Sequence, residues 1–247
     1  MYMDRVGASV ESEVSSELER ARILITGLTG IAGVDVARAF ADLKARLVVH
    51  TTDLSPELVE LAALLSQSAS EIRLHTLDIS TADCAAKFAQ TSAQAYGGLD
   101  VAINMATISS TEIQSIRGEG DLEALVSTKL APLAQLTRVI ANRMNLVLSE
   151  GMVLNVLKMP EPQDRRSAAV AGFARTALAA MIANEAREWA GKGIRINGVG
   201  PRAFYDGSRS GAYLTNEPDV ATLALHLASR RGRSLSGHVF DAGGLDF

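Results

Sequence analysis

Short β-branched and aliphatic runs punctuate the chain at 22–26, 46–50, 72–77, 101–104, 152–156, 194–198 and 238–241. Between them lie segments in which apolar residues return every three or four positions, the period of a helix with one buried stripe. Strand runs that are apolar throughout, alternating with amphipathic helices, are the mark of a parallel sheet covered on both faces. The pattern predicts an α/β fold of about seven strands, a doubly wound Rossmann-like sheet in a single domain. A helix over about 122–143 turns Leu122, Leu125, Val126, Leu133, Leu136 and Ile140 to one side. Another over about 167–190 does the same with Ala174, Leu178, Met181, Ile182 and Trp189. Sheet packing accounts for most of each stripe, and a partner subunit for the remainder. The opening residues, 1–20, alternate charge with small residues and read as a tail or short helix before a domain spanning 21–247.

Composition narrows the functional classes. The chain has 247 residues, 47% of them hydrophobic, enough for one substantial core. A net charge of −4 and a pI near 5.6 disfavour nucleic acid and anionic membrane as partners. No unbroken apolar run approaches the ~20 residues that span a bilayer. Cys84 is the only cysteine, compatible with a reducing, cytoplasmic setting. The histidines His50, His75, His226 and His238 lack metal-ligand spacing, so no metal site is expected. The basic stretch 229–238 reads as a solvated loop in an acidic whole.

One local motif carries chemistry. Directly after the first apolar run, TGLTGIAG places Gly27, Gly30 and Gly33 between a strand and an amphipathic helix. Glycine admits positive φ, and its missing Cβ lets backbone approach a phosphate or a neighbouring strand. Amides at a helix start attract anions. The turn thus predicts a dinucleotide pyrophosphate site built from Gly27, Thr29, Gly30, Ile31 and Gly33, or else a scaffold that has kept the turn. At the tip of the second run, Thr51 or Thr52 stands where a carboxylate would take an NAD ribose, and Asp53 comes slightly late. No arginine is there for a 2′-phosphate, so NAD, NADP and no cofactor all stay open.

Several segments in order resemble the short-chain dehydrogenase/reductase family, from about residue 22 to 247. LDIS, with Asp78 and Ile79, is similar to the family's adenine-contacting segment. LDVAINMAT resembles its Asn-Asn-Ala-Gly segment, keeping Asn104 and Ala106 while Met105 and Thr107 diverge. GIRINGVGPR resembles the sixth strand and its Pro-Gly end, with Arg202 in place of the glycine. LSGHVFDAGG resembles the last strand and closing glycines. Ile31 falls where single-domain members carry a middle glycine, so the spacing is that of the extended branch.

The resemblance implies a 3-oxoacyl-carrier-protein-reductase-like oxidoreductase with a tyrosine acid, a lysine four residues later, a serine and an asparagine. Carried onto this chain, the tyrosine position is Ala171, the lysine Arg175, the serine Lys158 and the asparagine roughly Thr128. All four differ, and alanine cannot donate a proton. Losing a positioned acid forfeits about 10²–10⁴ in rate. Tyr2, Tyr96, Tyr205 and Tyr213 have no lysine four residues on; Tyr205 has Arg209 there. Asp206 falls where members use a threonine against the pyrophosphate, and a carboxylate there opposes cofactor binding. The segment between Arg202 and Pro218 is short for a substrate lid. Lys158 and Arg175 could hold an anion, or could have drifted toward water or an acidic neighbour. The expectation is a pseudo-enzyme, kept as a non-catalytic subunit in a homo- or hetero-oligomer of such folds, such as a hydroxyacyl or ketoacyl thioester dehydrogenase. The alternatives are an active reductase with relocated groups and a dinucleotide-sensing regulator.

Overall fold

Alternate residues of the central strands feed two apolar clusters, one on each face of a single sheet. In the first strand Leu24 joins one cluster, while Ile23 and Ile25 join the other. A sheet that must bury both faces uses such runs with no polar alternation. The computed structural model describes residues 16–30, 32–202 and 213–245. Its strands are β1 Arg22–Thr26, β2 Arg46–His50, β3 Glu71–His75, β4 Val101–Thr107, β5 Gly151–Lys158, β6 Ile194–Pro201 and β7 Val239–Ala242. They form a seven-stranded parallel sheet in the order β3-β2-β1-β4-β5-β6-β7. The order reverses between β1 and β4, and the crevice beyond their carboxyl ends is where such folds place a ligand.

The helices are α1 Val34–Asp42, α2 Pro56–Ser68, α3 Ala82–Gln94, α4 Ser110–Ser115, α5 Glu119–Leu146, α6 Arg165–Trp189 and α7 Glu217–Ala228. On one face α3, α5 and α6 supply Phe88, Leu136, Ile140, Leu178 and Ile182 to the core. On the other, α1, α2 and α7 supply Phe40, Leu61, Val220 and Leu227. Both predicted stripes are the inward faces of their helices, although Leu122, Leu125 and Met181 are only partly buried at the margin. Within α6 and its short 3-10 extension one 18-residue stretch has a mean hydropathy of 1.2, long and apolar enough by composition to cross a membrane. Its alanines raise that mean without an unbroken apolar run, and Ala174, Leu178 and Ile182 place it as a core helix. Leu18, inside the expected tail, is 4% exposed and belongs to the core, and the Arg20 amide donates to Lys44 at 3.0 Å. That end of the segment is therefore part of the folded body.

Candidate functional site

The glycine turn sits at the carboxyl end of β1, over β4. Gly27 and Gly33 have φ of +77° and +83°, values that side-chain-bearing residues resist. A Cβ on Gly27 would strike the Met105 carbonyl, and one on Gly33 would strike the Met105 methyl group. A Cβ on Gly30 would lie 2.8 Å from the Glu57 Cβ and 3.2 Å from the Ser55 hydroxyl. Close packing against β4 and against the start of α2 thus accounts for the glycines without a phosphate.

The amides of the turn have partners within the protein. Leu28 donates to the His50 carbonyl at 3.2 Å, and Thr29 to Ala32 at 2.9 Å. The Thr29 hydroxyl accepts from the Ala32 amide at 2.9 Å, closing a tight local turn. Gly30 donates to Asp53 Oδ2 at 2.7 Å, while Oδ1 of the same carboxylate accepts from Ser55 at 2.9 Å. These bonds, led by that from Gly30, hold the Asp53 carboxyl below the usual carboxylate range. In the first turn of α1, the Asp35 amide donates to Glu217 Oε1 at 2.9 Å. Glu217 comes from the start of α7 and is 6% exposed. A pyrophosphate needs such amides turned toward it. Among the described residues, two carboxylates take amides at the glycine turn and at the start of α1.

The other predicted cofactor contacts are also turned inward or aside. Thr51 is fully buried, and its hydroxyl accepts from the Asp53 amide at 3.0 Å. Asn104 is buried within the sheet, 3.4 Å from the Thr26 hydroxyl and 3.3 Å from Asn155 Oδ1, which Thr137 also bonds at 2.9 Å. Its place is a polar crosslink among β1, β4, β5 and α5. Asp78 is exposed beyond β3 and accepts from the Ser80 amide and hydroxyl at 2.8 and 2.9 Å, which lower its pKa. Ile79 is partly buried against the core, as is Ala106. Ile31, Tyr205, Asp206 and Arg209 lie outside the described residues.

Each of the four degenerate catalytic positions has its own surroundings. Ala171 is at zero exposure inside the core of α6. Arg175, one turn later, reaches away to β7: Nε donates to Asp241 Oδ1 at 2.7 Å and Nη2 to the Val239 carbonyl at 2.9 Å. Thr128 is exposed on α5, its hydroxyl donating to Ala124 at 2.8 Å, while its neighbour Lys129 pairs with Glu112 at 2.6 Å. Lys158 ends β5 and is 3% exposed. Burial pushes its pKa down to about 8, with the charge of Glu217 working in the opposite direction. The buried Lys158 thus feels the charge of the buried Glu217.

Beyond β6, Arg202, where the resemblance implied a glycine, is tied to its neighbours. It bonds Glu161 Oε1 at 3.2 Å and lies 4.3 Å over the Tyr213 ring, and Glu161 Oε2 accepts from the Gly244 amide at 2.6 Å. Among the described residues no cluster of metal-ligating side chains occurs. The decisive groups that sequence reading missed are Glu217, Glu161 and Asp241. Each meets its partner across a long stretch of chain, so only the Pro218 that follows Glu217 and marks a helix start gave a local hint.

The short chain dehydrogenase family model matches residues 21–210. The chain is 29% identical to a mitochondrial borneol dehydrogenase of Lavandula x intermedia, over 92% of this chain and 90% of that one. A crystal structure of a short-chain type dehydrogenase/reductase from Mycobacterium marinum superposes with a TM-score of 0.72 at 19% identity, covering 93% of this chain and 97% of the other. An NAD+-bound xylitol dehydrogenase superposes with a TM-score of 0.71 at 14% identity, covering 92% and 99%.

Proposed function

Since the chain belongs to the short-chain dehydrogenase family of oxidoreductases, we propose that it is a catalytically silent member kept as a structural subunit. The observation that supports this most is at the tyrosine position. Ala171 is sealed in the core, and the Arg175 that follows it by one turn is committed to Asp241 and Val239. The side chain that would protonate a substrate oxygen is missing, and the cation that would assist it points elsewhere. Removing cooperating groups together leaves little beyond binding.

The exposed side of α5 and α6 is the face we assign to a partner subunit of the same fold. There Leu130, Ala131, Phe173, Ala177 and Met181 border a shallow groove of about 440 Å³. Phe173 stays 40% exposed, an apolar side chain that a second subunit would cover. The partner this reading takes is an intact reductase, or a second copy of this chain, in an assembly acting on hydroxyacyl or ketoacyl thioesters.

Steady-state assays of the purified chain test the reading. The panel takes ketoacyl thioesters first, then the ketone of borneol and a keto-sugar acid, because relatives are named for related substrates. With NADH or NADPH, turnover stays at background. Turnover that disappears in a Lys158→Ala or Arg175→Ala variant would establish an active reductase with relocated groups instead.

A further inference from the structure

We infer that the dinucleotide cleft is closed from within. Asp53 and Glu217 hold two amides that would meet a pyrophosphate, so the chain takes up neither NAD(H) nor NADP(H), and removing both carboxylates opens an anion site at the start of α1.

Both carboxylates are anchored. Asp53 bridges the Gly30 amide and the Ser55 amide at 2.7 and 2.9 Å, tying the glycine turn to the start of α2. Glu217 sits in the first turn of α7, behind an Asn216 cap whose side chain accepts from Asp219 at 2.9 Å. From there it bonds the Asp35 amide at 2.9 Å, at the positive end of α1. Bonds between an amide and a carboxylate are among the stronger ones. An incoming pyrophosphate must displace both carboxylates or lie beside them, and like charges in a crevice repel strongly. Space is short as well. Gly30 already packs against Ser55, Glu57 and Leu58, which brings the turn up against the start of α2. A ribose bridging those two elements would have to part them.

The inference concerns binding alone and does not depend on catalytic silence, since a silent chain could still sense a dinucleotide. Calorimetric titration of the full chain with NADH, NADPH and ADP tests it, beside an Asp53→Ala/Glu217→Ala variant and the Asp53→Ala single variant. The unmodified chain shows no saturable binding up to about 1 mM. The double variant binds ADP at least about tenfold more tightly. Should the double variant fail to fold, Asp53→Ala alone shows the same direction of change. Amide hydrogen exchange of the unmodified chain adds a readout free of substitution: Gly30 and Asp35 are protected without ligand, and NADH does not alter them. Binding of NADH or NADPH to the unmodified chain at tens of micromolar or below overturns the inference. So does a folded variant that gains nothing toward ADP. Binding without turnover sinks this inference and leaves the proposed function standing; turnover sinks both.

Discussion

Arg175 and Asp241 join α6 to β7. The guanidinium Nε lies 2.7 Å from Oδ1, and a second nitrogen donates to the Val239 carbonyl at 2.9 Å. Because β7 is the last strand of the sheet among the described residues, paired with β6 and flanked on its other side by a single bridge from Leu214 to Ala242, this clamp helps fix an edge. The two side chains are 21% and 40% exposed, so solvent screens part of the attraction. Arg175→Ala is expected to cost about 1–2 kcal/mol. For a domain this size that is a drop of roughly 2–8 °C in melting temperature. Arg175→Lys recovers only part of it, since an ammonium cannot reproduce the two-branched bonding. Thermal melts followed by circular dichroism decide; a wild-type melt in the alanine variant would remove the clamp from the account.

Restoring the tyrosine does not restore chemistry. Ala171 has zero exposure and is surrounded by core residues of α6 and its neighbours. A phenol there overfills the site and costs about 1–3 kcal/mol or more. An Ala171→Tyr/Arg175→Lys variant is therefore expected to melt lower than the parent and to leave ketone reduction at background. Turnover in that variant would mean that the crevice had stayed poised for catalysis, needing only its acid.

The sheet was legible because its signals are local. Seven apolar runs and one glycine turn carry strand, crossover and strand in sequence order, and handedness and layering follow from them. Strand ends were less so: β4 runs on to Thr107, β5 to Lys158 and β6 to Pro201, past the residues where apolar character fades. Pairing in a sheet centre holds a strand together beyond its own propensity. At the site, the chain shows which residues are absent but not what fills their places. Gly30 meets Asp53 across 23 residues, Arg175 meets Asp241 across 66, and Asp35 meets Glu217 across 182. No periodicity or short motif encodes a partner at such distances. Asp53, slightly late in the chain for a ribose carboxylate, turns back onto the glycine loop.

Acid should unfasten the opposite end of the sheet. Asp100 accepts from the Arg22 amide at 2.8 Å and from its guanidinium at 3.0 and 2.6 Å. Burial by itself would raise the Asp100 pKa, but the bonds from Arg22, with Ser149, outweigh it and hold the carboxyl below its ordinary value. A carboxyl with a depressed folded pKa contributes its full stabilisation above its unfolded value near 4, and loses it as pH falls through the folded value. Asp100→Asn is therefore less stable than the parent at neutral pH, and the gap narrows steadily below about pH 4. Denaturant melts across that range check it; a gap independent of pH would exclude Asp100 as the titrating group.

Alkali should act on the crevice with the opposite sign. Lys158 is 3% exposed at the end of β5, and burial lowers its pKa to about 8 despite the nearby charge of Glu217. The unfolded lysine titrates near 10.4. Between those values the unfolded chain carries a proton that the folded chain has released, so stability rises with pH across this window. The slope approaches about 1.4 kcal/mol per pH unit for one fully titrating group. Below pH 8 both states hold the proton, and the folded state bears the cost of a buried ammonium. Lys158→Met removes the titration whatever it does to stability at neutral pH. Relative to that variant, the parent should gain roughly 2–3 kcal/mol between pH 8 and 10. Parallel stability curves for the two proteins would show instead that the ammonium reaches water and that Glu217 has no buried cation beside it.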